Sequence, residues 1–250
     1  MKALITGASS GIGCEMAKYL SSLGYDLILV ARRKDKLIEL KEQLNTKVKI
    51  IALDLSSEEA CIELYQSVTD EKIDILINNA GFGLLGEFVE TSLTKELKMI
   101  DINIRTVHIL TKLFLKDMKK RDKGYILNVS SLAAFQAGPL MSTYYATKSY
   151  VLRLTLALYE ELRRDNSNVV VSALCPGPVK TGFNDVAGVN STIKSVSSQY
   201  VAKYAINKMF KKKLIIIPGL KMKISYYFSK LLSIKKLLKI TYFIQNRKRK

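Results

Sequence analysis

Seven short apolar runs recur along this sequence, at residues 2–6, 26–31, 48–52, 73–78, 125–129, 169–174 and 214–217, with longer helical patterns between them. The second, Asp26-Leu27-Ile28-Leu29-Val30-Ala31, is apolar at nearly every position. Runs without polar alternation suit strands covered on both faces, the condition of a parallel sheet. Between the runs, Leu37, Leu40 and Leu44 fall at helical spacing, and Ser56-Ser57 ahead of Glu58-Glu59 reads as a helix start. Strand and helix alternating seven times predicts one α/β domain, a doubly wound parallel sheet of about seven strands with helices on both faces. A chain of 250 residues, 48% apolar, is long enough to bury such a core in a single domain.

Composition narrows the function classes. Cys14, Cys61 and Cys175 are odd in number and far apart, which predicts reduced thiols in a cytoplasmic setting and no metal site. His108 is the single histidine, which speaks against a histidine-based metal site, and it reads as a packed or surface helix residue with no triad partners set around it. The first run starts at Lys2, leaving no stretch that reads as an export signal, and no apolar run approaches the roughly 18 residues of a spanning helix. The net charge of +18 is unevenly spread: beyond Asp185 there is no acidic residue, while residues 186–250 hold sixteen Lys or Arg. The rest carries 24 basic against 22 acidic residues, so the basic character belongs to the C-terminal part.

The first run leads into Thr6-Gly7-Ala8-Ser9-Ser10-Gly11-Ile12-Gly13 and then a helical pattern from Cys14. Glycines there permit a tight turn, close approach of backbone to a pyrophosphate, and close packing of helix on strand. The free N–H groups of the helix start favour phosphate. This strand–glycine turn–helix order marks the sheet as Rossmann-type. After the second run, Ala31 is followed by Arg32 and Arg33, where an acidic residue would bind free ribose hydroxyls. Two guanidinium groups there favour a 2′-phosphate and hence NADP(H) over NAD; two solvated arginines opening a helix are the plainer alternative.

Tyr144 and Lys148 lie four apart, on one face of a helical pattern running through Val151, Leu154 and Leu158. Tyr145 has Ser149 at the equivalent position, so Tyr144 alone has the ammonium. Carbonyl–alcohol chemistry needs a group that gives or takes a proton at oxygen. A phenol, with a pKa of about 10, becomes a usable base beside an ammonium roughly 5 Å away, which favours phenolate by about 3 kcal/mol, or some two pKa units, at an effective dielectric of about 20.

Together these stretches resemble the short-chain dehydrogenase/reductase family. The resemblance runs from the Thr6–Gly13 loop through Asp54-Leu55, Asn78-Asn79-Ala80-Gly81, Asn103, the set Ser131, Tyr144 and Lys148, and Pro176-Gly177-Pro178-Val179-Lys180-Thr181, covering roughly residues 2–220. It implies an NADP(H)-dependent oxidoreductase interconverting a carbonyl and an alcohol. By resemblance, Gly7, Ser9, Ser10, Gly11, Ile12 and Gly13 cradle the cofactor phosphates, Asp54 and Leu55 flank the adenine, and Asn79, Ala80 and Gly81 pass along the ribose. Pro176, Gly177, Val179 and Thr181 surround the nicotinamide. Ser131, placed thirteen residues before Tyr144, is chosen over Ser130 to hold the substrate oxygen, and Lys148 also holds the nicotinamide ribose. Asn103 bends its helix and supports a water leading to Lys148. An ordinary turn at Asn78–Gly81 and a surface position for Asn103 remain the structural alternatives. Self-association into a homodimer or homotetramer, through the helices carrying Asn103 and Tyr144, is also implied.

Specificity in such a protein resides in the segment after the sixth strand, residues 182–201, and beside the active serine. Phe183, Val186, Val189 and Ile193, with Leu132, Phe135, Leu140 and Met141, either line an apolar pocket for a hydrophobic ketone, aldehyde or acyl chain or pack as a lid. Residues 1–220 then form the catalytic domain and 221–250 a basic amphipathic extension, whose Ile224, Tyr227, Phe228, Leu231 and Leu232 share a face interrupted by Lys235 and Lys236. Three fates are open to the extension: lying on an anionic membrane, covering the substrate mouth or a partner subunit, or extending as a solvated tail. The first gives a cytoplasmic protein peripheral at the inner membrane surface. Nucleic acid is not expected as a partner, since no recognition module accompanies Arg247-Lys248-Arg249-Lys250. A catalytically silent NADP-binding scaffold, membrane-associated through the tail, is the rival function.

Overall fold

The computed structural model describes residues 1–183, 187–188 and 195–249. Its main sheet runs in the order β3-β2-β1-β4-β5-β6-β9, all neighbours parallel. The strands are β1 (Lys2–Thr6), β2 (Asp26–Ala31), β3 (Val48–Ala52), β4 (Ile75–Asn78), β5 (Tyr125–Val129), β6 (Val170–Leu174) and β9 (Ile215–Ile216). A separate small pair joins β7 (Val179–Lys180) to β8 (Val196–Ser197). This is the doubly wound, Rossmann-type sheet expected, and its order reverses between β1 and β4, where such sheets open a crevice at their C-terminal ends.

Alternation along the strands feeds two cores. Ala3 and Ile5 of β1 join Met16 and Leu20 of α1 (Gly11–Ser22) and Ile206 of α7 (Ser198–Phe210) on one face. Leu4 points the other way, to Leu64 of α3 (Glu58–Gln66) and Leu110 and Phe114 of α5 (Thr106–Lys120). The expectation of burial on both faces fails at β3, whose residues are half-buried or exposed. It is an edge strand with one neighbour, so less of the chain covers it. Leu44 also lies beyond α2 (Lys34–Glu42), packed against the core from the turn that follows.

The helix starts follow the capping chemistry of the sequence. Ser57 accepts a hydrogen bond from the Ala60 N–H at the head of α3, and Ser197 accepts one from Tyr200 at the head of α7. Inside, Asn78 donates to Asn128 Oδ1 (2.9 Å) and Thr111 Oγ1 (3.0 Å), and Asn128 donates to Thr155 Oγ1 (3.0 Å). This buried amide ladder ties β4 to β5, α5 and α6 (Ser142–Arg164), fixing the long helix that carries Tyr144. The extension forms two helices, α8 (Leu220–Ser229) and α9 (Ile234–Asn246), in place of one interrupted face.

Candidate active site

The glycine turn sits between β1 and α1 at the C-terminal edge of the sheet. Gly7 (φ 66°) and Gly11 (φ 58°) occupy the left-handed region, which a side chain would strain. A second loop, after β4, clasps the first: Thr6 Oγ1 accepts from the Asn79 and Ala80 N–H groups, and Asn79 Nδ2 donates to the carbonyls of Thr6 and Gly7, each at 3.1 Å. A Cβ on Gly13 would stand 2.4 Å from Asn79 Nδ2, so the close approach of helix to loop requires glycine. Ser10, the residue before α1, makes no side-chain cap, and the first turn has no acidic residue. The helix start therefore leaves its N–H groups available to an anion.

At the far end of the same cavity, exposed Arg32 and Arg33 follow β2, and Arg33 donates to Ser9 Oγ at 3.1 Å. Asp54 accepts from Lys98 Nζ (3.0 Å) and the Ser56 N–H. Partial burial works against its charge, but the bonds to Lys98 and Ser56 prevail and hold its carboxyl below the usual range. Leu55 turns its side chain into the core and Ile12 packs partly against it, so these two present mainly backbone to the cavity. These features suit a dinucleotide carrying a 2′-phosphate: a phosphate cradle at one helix start and two guanidinium groups at the ribose end.

Tyr144 and Lys148 lie one turn apart on α6, both buried. Lys148 Nζ donates to the Val129 carbonyl (2.9 Å) and stands 5.9 Å from the centre of the Tyr144 ring. Ser131, just past β5, accepts from the Ala133 N–H at 3.1 Å. Ser130 instead commits its hydroxyl to the Lys148 carbonyl (2.8 Å) and is buried, which separates the two serines. Asn103 is fully buried within a π-helical turn, Asp101–Arg105, that offsets α4 (Leu93–Ile100) from α5. It accepts from the Phe82 N–H and donates to the Phe82 carbonyl and Thr147 Oγ1, so it is no surface residue. A Cβ on Gly81 would meet both Asn103 Oδ1 (2.8 Å) and Lys148 Nζ (3.3 Å), which places these groups together at the cavity floor.

One electrostatic expectation is corrected. In the chain alone, burial drives the Tyr144 phenol up to about 12, against a smaller downward pull from the Ser131 hydroxyl and with Tyr145 adding to the rise. Burial also pushes the Lys148 ammonium down to about 8. Desolvation thus governs the phenol, and the lowering by lysine that spacing alone suggested is not seen. The phenol is neutral near pH 7 and holds its proton.

The cavity, about 570 Å³, runs from the glycine turn past Pro176, Gly177, Val179 and Thr181 to Leu132, Met141 and Phe183. The Phe183 ring lies tilted against that of Tyr144, their centres 5.4 Å apart. Phe135 turns away to Tyr226 of α8, and Leu140 is buried outside the lining. Val186, Val189 and Ile193 lie outside the described residues. Sequence reasoning missed Gln245 and Lys248, which line the cavity from the C-terminal end of the chain. Gln245 donates to the Tyr145 hydroxyl, Gln136 donates to Thr241 Oγ1 (2.9 Å), and Arg249 pairs with Glu87 (2.9 Å). The extension is therefore packed across the substrate side of the site. No local pattern announces contacts spanning a hundred residues.

Comparison with known proteins gives a consistent picture. A family model described as short chain dehydrogenase matches residues 1–191. The chain is 36% identical over 214 residues to the very-long-chain 3-oxoacyl-CoA reductase of Homo sapiens, covering 82% of this chain and 67% of that protein. It is 32% identical over 218 residues to a probable NADP-dependent dehydrogenase of Haemophilus influenzae, covering 82% and 85%. A solved short-chain dehydrogenase from Sphingobium yanoikuyae in complex with NADPH superimposes with a TM-score of 0.83 at 29% identity, covering 92% and 91%.

Proposed function

Because this chain belongs to the short-chain dehydrogenase/reductase family of oxidoreductases, we propose that it reduces a hydrophobic ketone, aldehyde or 3-oxoacyl compound to the alcohol with NADPH. The observation that carries this reading is the convergence of Ser131, Tyr144 and Lys148 on one cavity with the glycine turn and the two arginines. The apolar lining by Leu132, Met141 and Phe183 supports the substrate class.

In this reading the Gly7–Gly13 turn, with Ser9, Ser10 and Ile12, binds the phosphates, and Arg32 and Arg33 bind the 2′-phosphate. Asp54 and Leu55 take the adenine side, Asn79 to Gly81 the ribose, and Pro176, Gly177, Val179 and Thr181 the nicotinamide. Bound NADPH supplies the hydride. Ser131 holds the carbonyl oxygen by a hydrogen bond, and Tyr144 gives that oxygen its proton as the carbonyl carbon becomes an alcohol carbon. The phenol carries its proton near pH 7, as donation to the carbonyl oxygen requires. Lys148, fixed by the Val129 carbonyl, holds the ribose, and Asn103, bonded to Thr147, supports a water leading protons to Lys148.

The test is NADPH oxidation, followed by absorbance, across ketones, aldehydes and 3-oxoacyl thioesters. Tyr144→Phe is expected to lower kcat by about a hundredfold to ten-thousandfold while NADPH still binds. Turnover surviving in Tyr144→Phe would remove the phenol from the mechanism; NADPH binding without turnover anywhere in the panel would favour the silent scaffold.

Two further elements belong to the proposal. The protein forms a homodimer or homotetramer through α5 and α6, supported by Tyr150 and Tyr159 standing partly exposed on α6; light scattering at monomer mass would refute it. It works in the cytoplasm, peripheral at the inner membrane surface, through the exposed Ile224, Tyr227, Phe228 and Leu231 of the extension and the cations around them. No helix among the described residues is long and apolar enough to cross a membrane. Cosedimentation with anionic vesicles at low salt tests this placement, and protein left wholly in the supernatant rejects it.

A further inference from the structure

We propose that Gln245 and Lys248 form an anchor for a carboxylate on the carbonyl substrate, so that the natural substrate is an apolar oxo acid. The inference rests on the reductase reading and narrows it.

Gln245 is almost fully buried, and its amide has one satisfied end: Nε2 bonds the Tyr145 hydroxyl, while Oε1 has no partner among the described residues. A buried amide atom left unpaired is unfavourable, since nothing replaces the water it gave up. The two ends of an amide are interchangeable by rotation. With the amide turned over, Oε1 accepts from the Tyr145 hydroxyl and Nε2 is freed to donate to a ligand. In either orientation one buried polar atom is left without a partner, on a residue that lines the cavity.

Lys248 follows one turn later, its N–H bonded to the Gln245 carbonyl at 2.9 Å. It lines the same cavity and is partly buried, and desolvation pushes its ammonium down. No carboxylate lies within ion-pairing distance of it among the described residues, whereas neighbouring Arg249 is paired with Glu87. Asp54 is the only carboxylate among the described residues that line the cavity, and Lys98 already holds it. An ammonium with no carboxylate partner among the described residues, in a cavity that Met141 and Phe183 also line, favours a ligand that brings negative charge.

Position separates this site from the cofactor phosphates. Gln245 touches Tyr145, the neighbour of Tyr144, and the extension lies over Gln136 and Glu87, next to the loops that follow β5 and β4. Arg32 and Arg33, by contrast, follow β2 on the other side of the switch point. The anion at Lys248 therefore belongs to the substrate, with its carbonyl at Ser131 and Tyr144 and its chain against Leu132, Met141 and Phe183.

The test uses the full chain and two probes of equal chain length, decanoate and decanol, titrated calorimetrically. Wild type is expected to bind decanoate more tightly. That preference should fall about tenfold or more in Lys248→Met, survive in Lys248→Arg, and weaken in Gln245→Leu. Thermal melting and NADPH affinity confirm that each variant is folded. Equal affinity of wild type for the two probes, or a preference intact in Lys248→Met, overturns the proposal. A second arm compares turnover of a medium-chain oxo acid with that of its methyl ester. A higher kcat/KM for the acid supports the anchor, and one equal or higher for the ester overturns it while leaving the reductase standing. Decanoate preference lost in Lys248→Met, with no turnover of either compound, would uphold the anchor and sink the reductase reading alone.

Discussion

The cofactor side of the cavity is built from short segments at consecutive strand ends, whereas the substrate side is gathered from distant parts of the chain. Gly7–Gly13, Arg32 and Arg33, Asp54, and Asn79–Gly81 each follow directly on β1, β2, β3 and β4. Across the cavity, Ser131 to Tyr145 meets Phe183, Gln245 and Lys248. A parallel sheet delivers its strand ends to one edge whatever the rest of the chain does, so the first side is a consequence of topology. The second is completed by the extension, docked through Gln136–Thr241 and Tyr145–Gln245. A family fold thus supplies the phosphate cradle, while specificity is left to segments that differ in length and sequence.

That contrast is tested hardest at Lys148, buried on α6 and lining the cavity that both sides share. An ammonium pushed from an ordinary 10.5 down to about 8 makes folding less favourable by about 3 kcal/mol while it is charged. The sign follows from proton counting. Between about pH 8 and pH 10.5 the unfolded chain binds more protons than the folded one, so stability rises with pH across that window; below it the full penalty applies. Lys148→Met, which loses the bond to the Val129 carbonyl but removes the buried charge, is expected to gain about 2 kcal/mol at about pH 7. The gain should shrink at about pH 9.5, and turnover should be lost at both. Urea unfolding at the two pH values measures it, and a variant less stable than wild type at neutrality would show that the hydrogen bond outweighs desolvation.

The next largest effect belongs to the cofactor side alone. A charge-assisted contact from Arg33 to a 2′-phosphate contributes about 2 kcal/mol, so Arg33→Ala is expected to weaken NADPH binding by roughly thirtyfold. NADH, lacking that phosphate, should bind within about twofold of wild type. Fluorescence titration of both cofactors reads the difference. Equal weakening for both would mean that Arg33 acts through its bond to Ser9, shaping the glycine turn, rather than through charge.

What was legible in the sequence follows the same division. The apolar runs located β1, β2 and β5 to the residue, because short buried strands carry their burial in their own side chains, and they bounded β3 as well although it is only half covered. Ser56-Ser57 located the start of α3, because capping is a local bond. The glycine turn and the Tyr144–Lys148 pair were visible since each lies within a single turn or helix. By contrast, the half-covered state of β3 depends on which strand ends the sheet, and no run of residues states its neighbours. The Tyr144 phenol was misjudged because the ammonium beside it is visible as spacing, while desolvation belongs to the assembled cavity. Gln245 and Lys248 were missed because a basic tail reads as surface until its docking partners, Tyr145 and Gln136, are brought to it.

The smallest effect concerns what holds the extension down, and charge counting gets it wrong. Arg249 and Glu87 form an ion pair at 2.9 Å, but both side chains are about a third exposed or more, and such pairs contribute about 0–1 kcal/mol. The bond from Gln136 to Thr241 ends on a hydroxyl almost fully buried, and losing it leaves the glutamine amide without that partner. Thr241→Val is therefore expected to cost about 1 kcal/mol and to raise KM for apolar substrates, whereas Arg249→Ala should leave both within error at physiological salt. Thermal melts and steady-state kinetics on the two variants separate the cases. If Arg249→Ala proves the more damaging, docking is electrostatic and should loosen as salt rises, and the substrate side would then open and close with ionic strength in a way the phosphate cradle does not.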